Sequence, residues 1–205
     1  MYRLSVSDLS KRFGPRKVVS NINFELTAGD SLAVTGPNGA GKSTLLMCLL
    51  GQHRPTKGKV VFFDDDRPMT ESEIQFSSAL VAPYLQLYGE LTGEENIKFF
   101  AAMRGLSPTG KQINAILDRM GLAGRGHDLL AEYSSGMAQR LKYAAAFLGE
   151  PTFLFLDEPT ANLDEDGKKI ILSFIEEIKA RCALVVATNE REEYALGQSE
   201  CRLGG

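Results

Sequence analysis

One glycine-rich stretch constrains the fold of this chain more than any other feature. It reads GPNGAGKST and consists of Gly36, Pro37, Asn38, Gly39, Ala40, Gly41, Lys42, Ser43 and Thr44. The apolar run SLAVTG (residues 31–36) leads into it and is typical of a strand, whereas STLLMCLLG (43–51) is typical of a buried helix. A glycine-rich turn between a strand and a helix N-terminus directs backbone amides at a polyphosphate. The sequence therefore predicts a phosphate-binding loop, in which Lys42 reaches the outer phosphates and Ser43 holds Mg²⁺.

The remaining strand patterns indicate an α/β fold. RLSVSDL (3–9) and VVSNINFEL (18–26) alternate on either side of the turn FGPRK, which predicts an N-terminal antiparallel hairpin. Further strand candidates are KVVFF (59–63), FLFL (153–156) and ALVVA (183–187). We expect one domain over residues 1–205, because a chain of this length is more naturally one core than two.

Helical patterns dominate from about residue 71 to 131. Thr92 and Glu95 are spaced as a capping box, and Ser107–Pro108 marks a second helix start. The predicted division is therefore a nucleotide-binding core at approximately 1–70 and 152–205, with an inserted helical subdomain at approximately 71–151.

Composition and charge exclude several classes of protein. The formal net charge is -3 and the chain is 43% hydrophobic, which leaves no basic footprint for nucleic acid. No stretch approaches the roughly 18 apolar residues of a spanning helix, and the N-terminus lacks the apolar core of a signal peptide. Cys48, Cys182 and Cys201 are scattered and odd in number, which suits a reducing compartment. We therefore expect a cytoplasmic chain with no nucleic-acid partner.

An acidic pair ends one of the predicted strands. FLFLDEP (153–159) is an apolar run that finishes in Asp157 and Glu158. A phosphate loop requires a second, acidic element for Mg²⁺, and Asp157 supplies a carboxylate for the coordination shell of the metal. Glu158 lies one residue further on and can accept a proton from a water that attacks the γ-phosphate. It is therefore the candidate general base.

Four elements together resemble the ATP-binding-cassette (ABC) ATPase subunits of transporters. They are the phosphate loop, the strand ending in Asp157–Glu158, TANLD (160–164) and YSSGMAQRL (133–141). The resemblance covers nearly the whole chain and implies a P-loop α/β core with an N-terminal antiparallel subdomain and an inserted helical subdomain. It also implies ATP and Mg²⁺ as ligands and ATP hydrolysis as the activity.

The resemblance assigns a second phosphate-binding element to residues 133–137. In the family this segment reads LSGGQ and binds the γ-phosphate held by a partner subunit, whereas here it reads YSSGM. The residues concerned are Ser134, Ser135, Gly136 and Met137. Taken alone, YSSGM predicts only a helix N-terminus capped by Ser134 or Ser135.

Three more positions match family motifs. Phe13 lies where the family stacks an aromatic ring on adenine, although a core phenylalanine also satisfies the pattern. Asn162 and Asp164 match a turn that contacts the partner subunit, and Asp164 is equally suited to cap the following helix.

Two positions depart from the family. Where the family carries a glutamine that contacts Mg²⁺, an ungapped alignment of LVAPYLQLYGELT (80–92) places Pro83, and Gln86 follows three residues later. We assign the metal contact to Gln86. The last strand ends in Thr188–Asn189 instead of Thr-His, so Asn189 occupies the position of the γ-phosphate sensor. Its amide can donate a hydrogen bond but carries no charge, and a simple turn residue is the alternative.

The resemblance also implies partners. One copy of each motif predicts a homodimer, or a pair with a related ATPase chain, that sandwiches ATP between the phosphate loop of one chain and the signature segment (residues 133–137) of the other. Membrane-spanning permease subunits would hold the chain on the cytoplasmic face of the membrane. Tyr84, Leu85, Leu87 and Tyr88 are the candidate docking patch, with burial in the chain's own core as the alternative. The short length resembles the haem-exporter ATPase of cytochrome c maturation.

Three other functions stay open at this point. A nucleotide-controlled binding module with little turnover is one, because both departures lie beside the γ-phosphate. A soluble ABC ATPase that acts on DNA or ribosomes is a second. A small-molecule kinase is a third, but it gives no role to YSSGMAQRL.

Overall fold

The computed structural model describes residues 1–204. The strands are β1 (Tyr2–Phe13), β2 (Arg16–Thr27), β3 (Ser31–Thr35), β4 (Lys57–Asp64), β5 (Arg67–Pro68), β6 (Ser78–Val81), β7 (Phe153–Asp157), β8 (Ala183–Thr188) and β9 (Ser199–Arg202). The helices are α1 (Lys42–Leu49), α2 (Glu71–Ser77), α3 (Gly93–Met103), α4 (Gly110–Arg119), α5 (Ser135–Phe147) and α6 (Glu165–Lys179), and 3₁₀ segments span Leu130–Glu132 and Arg191–Leu196.

The N-terminal strands form an antiparallel sheet in the order β2-β1-β4-β5. The predicted hairpin is confirmed, with Leu4 opposite Leu26 on β2 and opposite Phe62 on β4. All three of these side chains are buried, because the alternating pattern places them on one face. This face packs over α1 and positions the helix that follows the phosphate loop.

The second sheet is parallel and has the order β6-β7-β8-β3-β9. Its central strands are buried on both faces, which explains their continuous apolar runs. On β7, Phe153 and Phe155 pack in one core, whereas Leu154 and Leu156 pack in the core on the opposite face. The carboxyl ends of β3, β7 and β8 therefore meet at one edge of the sheet.

The predicted helical pattern over 71–131 is wrong at residues 78–81, which form β6. These four residues pair in register with Phe153–Leu156 of β7, so a long-range partner decides their conformation. The sequence also did not predict β9, whose residues SECR show no apolar alternation. The division into core and helical subdomain stays a prediction.

Helix starts follow the capping signals closely. Thr92 and Glu95 form the predicted capping box at the start of α3. The helix expected at Ser107–Pro108 begins at Gly110, because Thr109 forms its own capping box with Gln112. Among the described helices, none has both the length and the apolarity needed to cross a membrane.

Candidate functional site

The phosphate loop joins the end of β3 to the start of α1, as predicted. Gly36, Gly39 and Gly41 have φ values of 142°, 79° and 103°, which side-chain-bearing residues rarely adopt. A Cβ on Gly36 would lie 2.5 Å from the carbonyl oxygen of Leu203, just beyond β9. The loop therefore requires glycine both for its turn and for its close approach to the C-terminal strand.

Lys42 lies at the first turn of α1 and is buried, with 6% of its surface exposed. Its Nζ donates hydrogen bonds to the carbonyl oxygens of Gly36 (2.9 Å) and Pro37 (3.3 Å). A Cβ on Gly39 would meet no heavy atom within 4 Å, so the space beside the loop is open. A cation, a helix N-terminus and free space together fit a polyphosphate.

Asp157 ends β7 and is buried, with 3% of its surface exposed. Burial raises the pKa of its carboxyl above the ordinary value, and the charge of Glu158 adds to this; hydrogen bonding by Ser43 and the charge of Lys42 oppose it. A hydroxyl and a carboxylate are hard oxygen donors that suit Mg²⁺. Within residues 1–204 no group of three or more His, Cys, Asp or Glu side chains could hold a metal. As oxygen donors, Ser43 and Asp157 fit Mg²⁺ that takes its other ligands from phosphate and water.

Glu158 is half-buried on a turn at the end of β7. Its φ of 46° lies in the left-handed region, and its amide donates to the carbonyl oxygen of Ala187 on β8 (2.8 Å). Its carboxylate accepts no hydrogen bond from any described residue. Glu158 thus combines a backbone conformation that non-glycine residues seldom adopt with a carboxylate that is free to bind a ligand.

Asn189 follows β8 and is exposed at the same edge of the sheet. Its Nδ2 donates to Oδ1 of Asn38 in the phosphate loop (3.0 Å). The structure thus brings the predicted sensor into contact with the predicted loop across 151 positions of sequence.

The contact of Gln86 with Mg²⁺ stays a prediction. Gln86 is exposed and lines a cavity of about 1020 Å³ between β4, α2 and α3. Burial chiefly, and then the charge and hydrogen bonding of the nearby Asp157, raise the pKa of the Tyr84 phenol. Nζ of Lys142 donates hydrogen bonds to the carbonyl oxygens of Ala82 (3.4 Å) and Pro83 (3.1 Å), which fixes the start of the loop that carries Tyr84. Sequence reasoning named Tyr84 only as part of the docking patch and missed its closeness to Asp157, which depends on β6.

The signature segment begins α5. Ser134 is the N-cap and accepts a hydrogen bond from the amide of Met137 (3.2 Å), whereas Ser135 is already the first helical residue. A Cβ on Gly136 would lie 3.7 Å from the carbonyl oxygen of Asn162. No hydrogen bond joins this segment to the phosphate loop in the described part of the chain.

The adenine contact of Phe13 and the partner contact of Asn162 and Asp164 stay predictions. Asp164 caps α6 through a hydrogen bond from the amide of Gly167 (2.8 Å). Phe13 is 48% exposed at the end of β1, so the alternative of a core phenylalanine is wrong. Its ring meets His53 edge-on at 5.6 Å between centroids, and Nζ of Lys11 lies 4.8 Å from its centroid.

Comparison with known proteins agrees with this geometry. The family model described as "ABC transporter" matches residues 19–161. An uncharacterized ABC transporter ATP-binding protein of Bacillus subtilis (strain 168), YxlF, is 33% identical over 91% of this chain and 62% of its own length. The daunorubicin resistance ATP-binding protein DrrA3 of Streptomyces coeruleorubidus is 30% identical over 94% of this chain and 61% of its own. The chain thus spans about three fifths of the length of these curated relatives.

Solved structures lead to the same assignment. One described as the ATP-binding subunit of an ABC transporter matches 98% of this chain and 85% of its own with a TM-score of 0.87 and 28% identity. This likeness confirms the predicted fold class. Because the family model covers more than half of the residues, the chain belongs to the ABC transporter family.

Proposed function

We propose that this chain binds Mg-ATP and hydrolyses it as the ATP-binding subunit of a transporter. One observation carries the proposal: Lys42, the Ser43–Asp157 pair, Glu158 and Asn189 converge on a single edge of the parallel sheet. Names of relatives add support, because they refer to daunorubicin resistance and to bacitracin transport.

The residues divide the chemistry among them. Lys42 lies among loop carbonyls and can turn its ammonium to the outer phosphates. Mg²⁺ held by Ser43 and Asp157 would neutralise charge on the phosphates. The carboxylate of Glu158 is unpaired among the described residues, so it can orient water and accept its proton. The amide of Asn189 can donate to a γ-phosphate oxygen but cannot carry positive charge. We therefore expect slower turnover than a histidine at this position would give.

We further propose that two chains share each ATP. In one chain the Ser134–Met137 segment caps its own helix and makes no hydrogen bond to the phosphate loop, within the described residues. Its serine hydroxyl and helix N-terminus fit a phosphate brought by a second chain. That second chain is a copy of this one or a related ATPase.

A membrane-spanning partner is proposed at the cavity beside α3. Leu85 and Leu87 line this cavity, and the exposed rings of Tyr88 and Phe99 lie next to it with centroids 4.8 Å apart. Exposed aromatic side chains beside an apolar hollow are typical of an interaction site. Docking there would hold the chain on the cytoplasmic face of the membrane. A haem-exporter subtype stays a prediction that rests on chain length alone.

The test is phosphate release from Mg-ATP against protein concentration, with Glu158→Gln as the matched control. We expect turnover that rises more steeply than linearly with concentration and is lost in the control, whereas the control still binds ATP. Omission of Mg²⁺ should abolish release in the parent chain. ATP binding with no release, even with a membrane partner present, would refute hydrolysis and favour a nucleotide-controlled binding module.

A further inference from the structure

The turn that carries Glu158 is fastened at successive residues to three different elements. The amide of Glu158 donates to Ala187 on β8 (2.8 Å). The buried hydroxyl of Tyr143 on α5 donates to the carbonyl oxygen of Pro159 (2.6 Å). Thr160 donates to Glu193, which lies in the 3₁₀ segment Arg191–Leu196. The first bond joins backbone to backbone, whereas the second and third each depend on one side chain, the Tyr143 hydroxyl and the Glu193 carboxylate.

Glu193 and Asp157 are the two buried acidic residues in the described part of the chain, and only 1% of the surface of Glu193 is exposed. Its Oε1 accepts from both the amide (2.9 Å) and the hydroxyl (2.5 Å) of Thr160. Its Oε2 is buried without a hydrogen-bond partner, and no described Lys, Arg or His lies within ion-pairing distance. Burying a carboxylate with half of its acceptors unpaired costs free energy, so packing alone does not explain the residue.

Glu193 also belongs to the segment that begins at Asn189. The amide of Glu193 donates to the carbonyl oxygen of Glu190 (3.1 Å), and the amide of Glu190 donates to the hydroxyl of Thr188 (2.9 Å). Thr188 is the last residue of β8, directly before Asn189. Short hydrogen-bonded steps thus join Asn189 to Glu193, and Glu193 to the turn that holds Glu158.

We propose that Glu193 is a positioning residue that ties the Glu158 turn to the Asn189 segment. Contact between Asn189 and a γ-phosphate would then set the orientation of Glu158 without any direct bond between them. This inference rests on the proposed function, because it assumes that Glu158 and Asn189 act on one nucleotide. Displacing a reacting group by about 1 Å costs about 100-fold in rate, so loss of the tie should lower kcat far more than affinity.

Glu193→Ala tests the tie, Glu193→Gln is the conservative variant, and Glu192→Ala is the matched control. Glu192 lies on the same 3₁₀ segment but is exposed. In Glu193→Gln the carboxamide oxygen still accepts from Thr160. For each variant we would measure kcat, ATP affinity and amide hydrogen exchange of residues 158–164 with and without Mg-ATP. The exchange is measured in the Glu158→Gln background, so it needs no turnover.

We expect Glu193→Ala to lower kcat about 10- to 100-fold with ATP affinity little changed, while Glu193→Gln and Glu192→Ala stay near the parent. Mg-ATP should slow exchange of residues 158–164 in every variant except Glu193→Ala. Unchanged kcat and exchange in Glu193→Ala, or equal losses of kcat and affinity, would overturn the inference. A Gln variant as poor as Ala would also overturn it, since the charge rather than the tie would then matter. A parent chain that binds ATP without releasing phosphate, even with a membrane partner present, refutes only the proposed hydrolysis, and hydrogen exchange still decides on Glu193. A parent chain that binds no ATP refutes both proposals.

Discussion

Replacing Tyr143 with phenylalanine should destabilise the protein through a single lost hydroxyl. Tyr143 is fully buried on α5, and its hydroxyl donates to the carbonyl oxygen of Pro159 at 2.6 Å. Pro159 is itself buried, so no water can replace the hydroxyl. Burial and the charge of Glu193 raise the pKa of the Tyr143 phenol well above its ordinary value, so the group stays a donor at any working pH.

The expected cost follows from the carbonyl that is left unpaired. An unsatisfied buried acceptor costs about 1–3 kcal/mol, and the ring itself is unchanged, so no cavity larger than one oxygen adds to this. For a chain of this size, each kcal/mol lowers the melting temperature by about 2–4 °C. We therefore expect Tyr143→Phe to lower it by about 2–12 °C.

Tyr133→Phe is the matched control, because it removes the same group from a bond of the same length. Its hydroxyl donates to the carbonyl oxygen of Arg125 at 2.6 Å, but Arg125 is exposed and water can take the place of the donor. We expect that variant to cost about 0.5 kcal/mol or less. Urea unfolding of both variants, followed by circular dichroism, measures the difference. Equal costs for the two substitutions would refute the reasoning, since burial would then not decide the energy.

Two further predictions concern the loop glycines and a helix cap. Gly36→Ala should destabilise the nucleotide-free chain more than Gly39→Ala in thermal unfolding. Both glycines have positive φ, so alanine at either position costs about 1–3 kcal/mol of backbone strain. Only at Gly36 would the added Cβ also clash with the carbonyl oxygen of Leu203. Equal melting temperatures would contradict this. Hydrogen bonding by Arg67 chiefly lowers the pKa of Glu73 from 4.5 to about 2, so its stabilising contribution is present above 4.5 and is lost as the pH falls toward 2. Carbon NMR titration should therefore show the pKa of Glu73 rising in Arg67→Met, and an unchanged pKa would contradict the assignment.

Much of this architecture could be predicted from the sequence because its signals are local. A strand buried on both faces appears as an uninterrupted apolar run, as in residues 153–156. Glycines are required where the chain turns into α1, so the phosphate loop can be predicted from the sequence. Capping boxes use residues three positions apart, and the one at Thr92 was predicted correctly.

The surroundings of Asp157 could not be predicted because they depend on β6. Its four residues are too few to show a period, and only pairing with β7 makes them a strand. Once that strand is in place, the chain beyond it carries Tyr84 to Asp157 and leaves Gln86 in the lining of the cavity. Alignment with the family indicated Gln86 as the metal ligand, but an alignment of sequence alone does not show that Tyr84 lies beside Asp157.

Glu193 illustrates the same limit in the stretch NEREEY. Glu190, Glu192 and Glu193 are chemically identical, and an acidic run of this kind predicts a solvated face. Two of them are exposed and one is buried, because a 3₁₀ segment turns Glu193 alone toward the amide of Thr160. The difference therefore originates in the turn after Glu158, 33 positions away in the sequence, rather than in the acidic run itself. A buried carboxylate at such a place is costly, and its position between Asn189 and Glu158 gives that cost a functional reason.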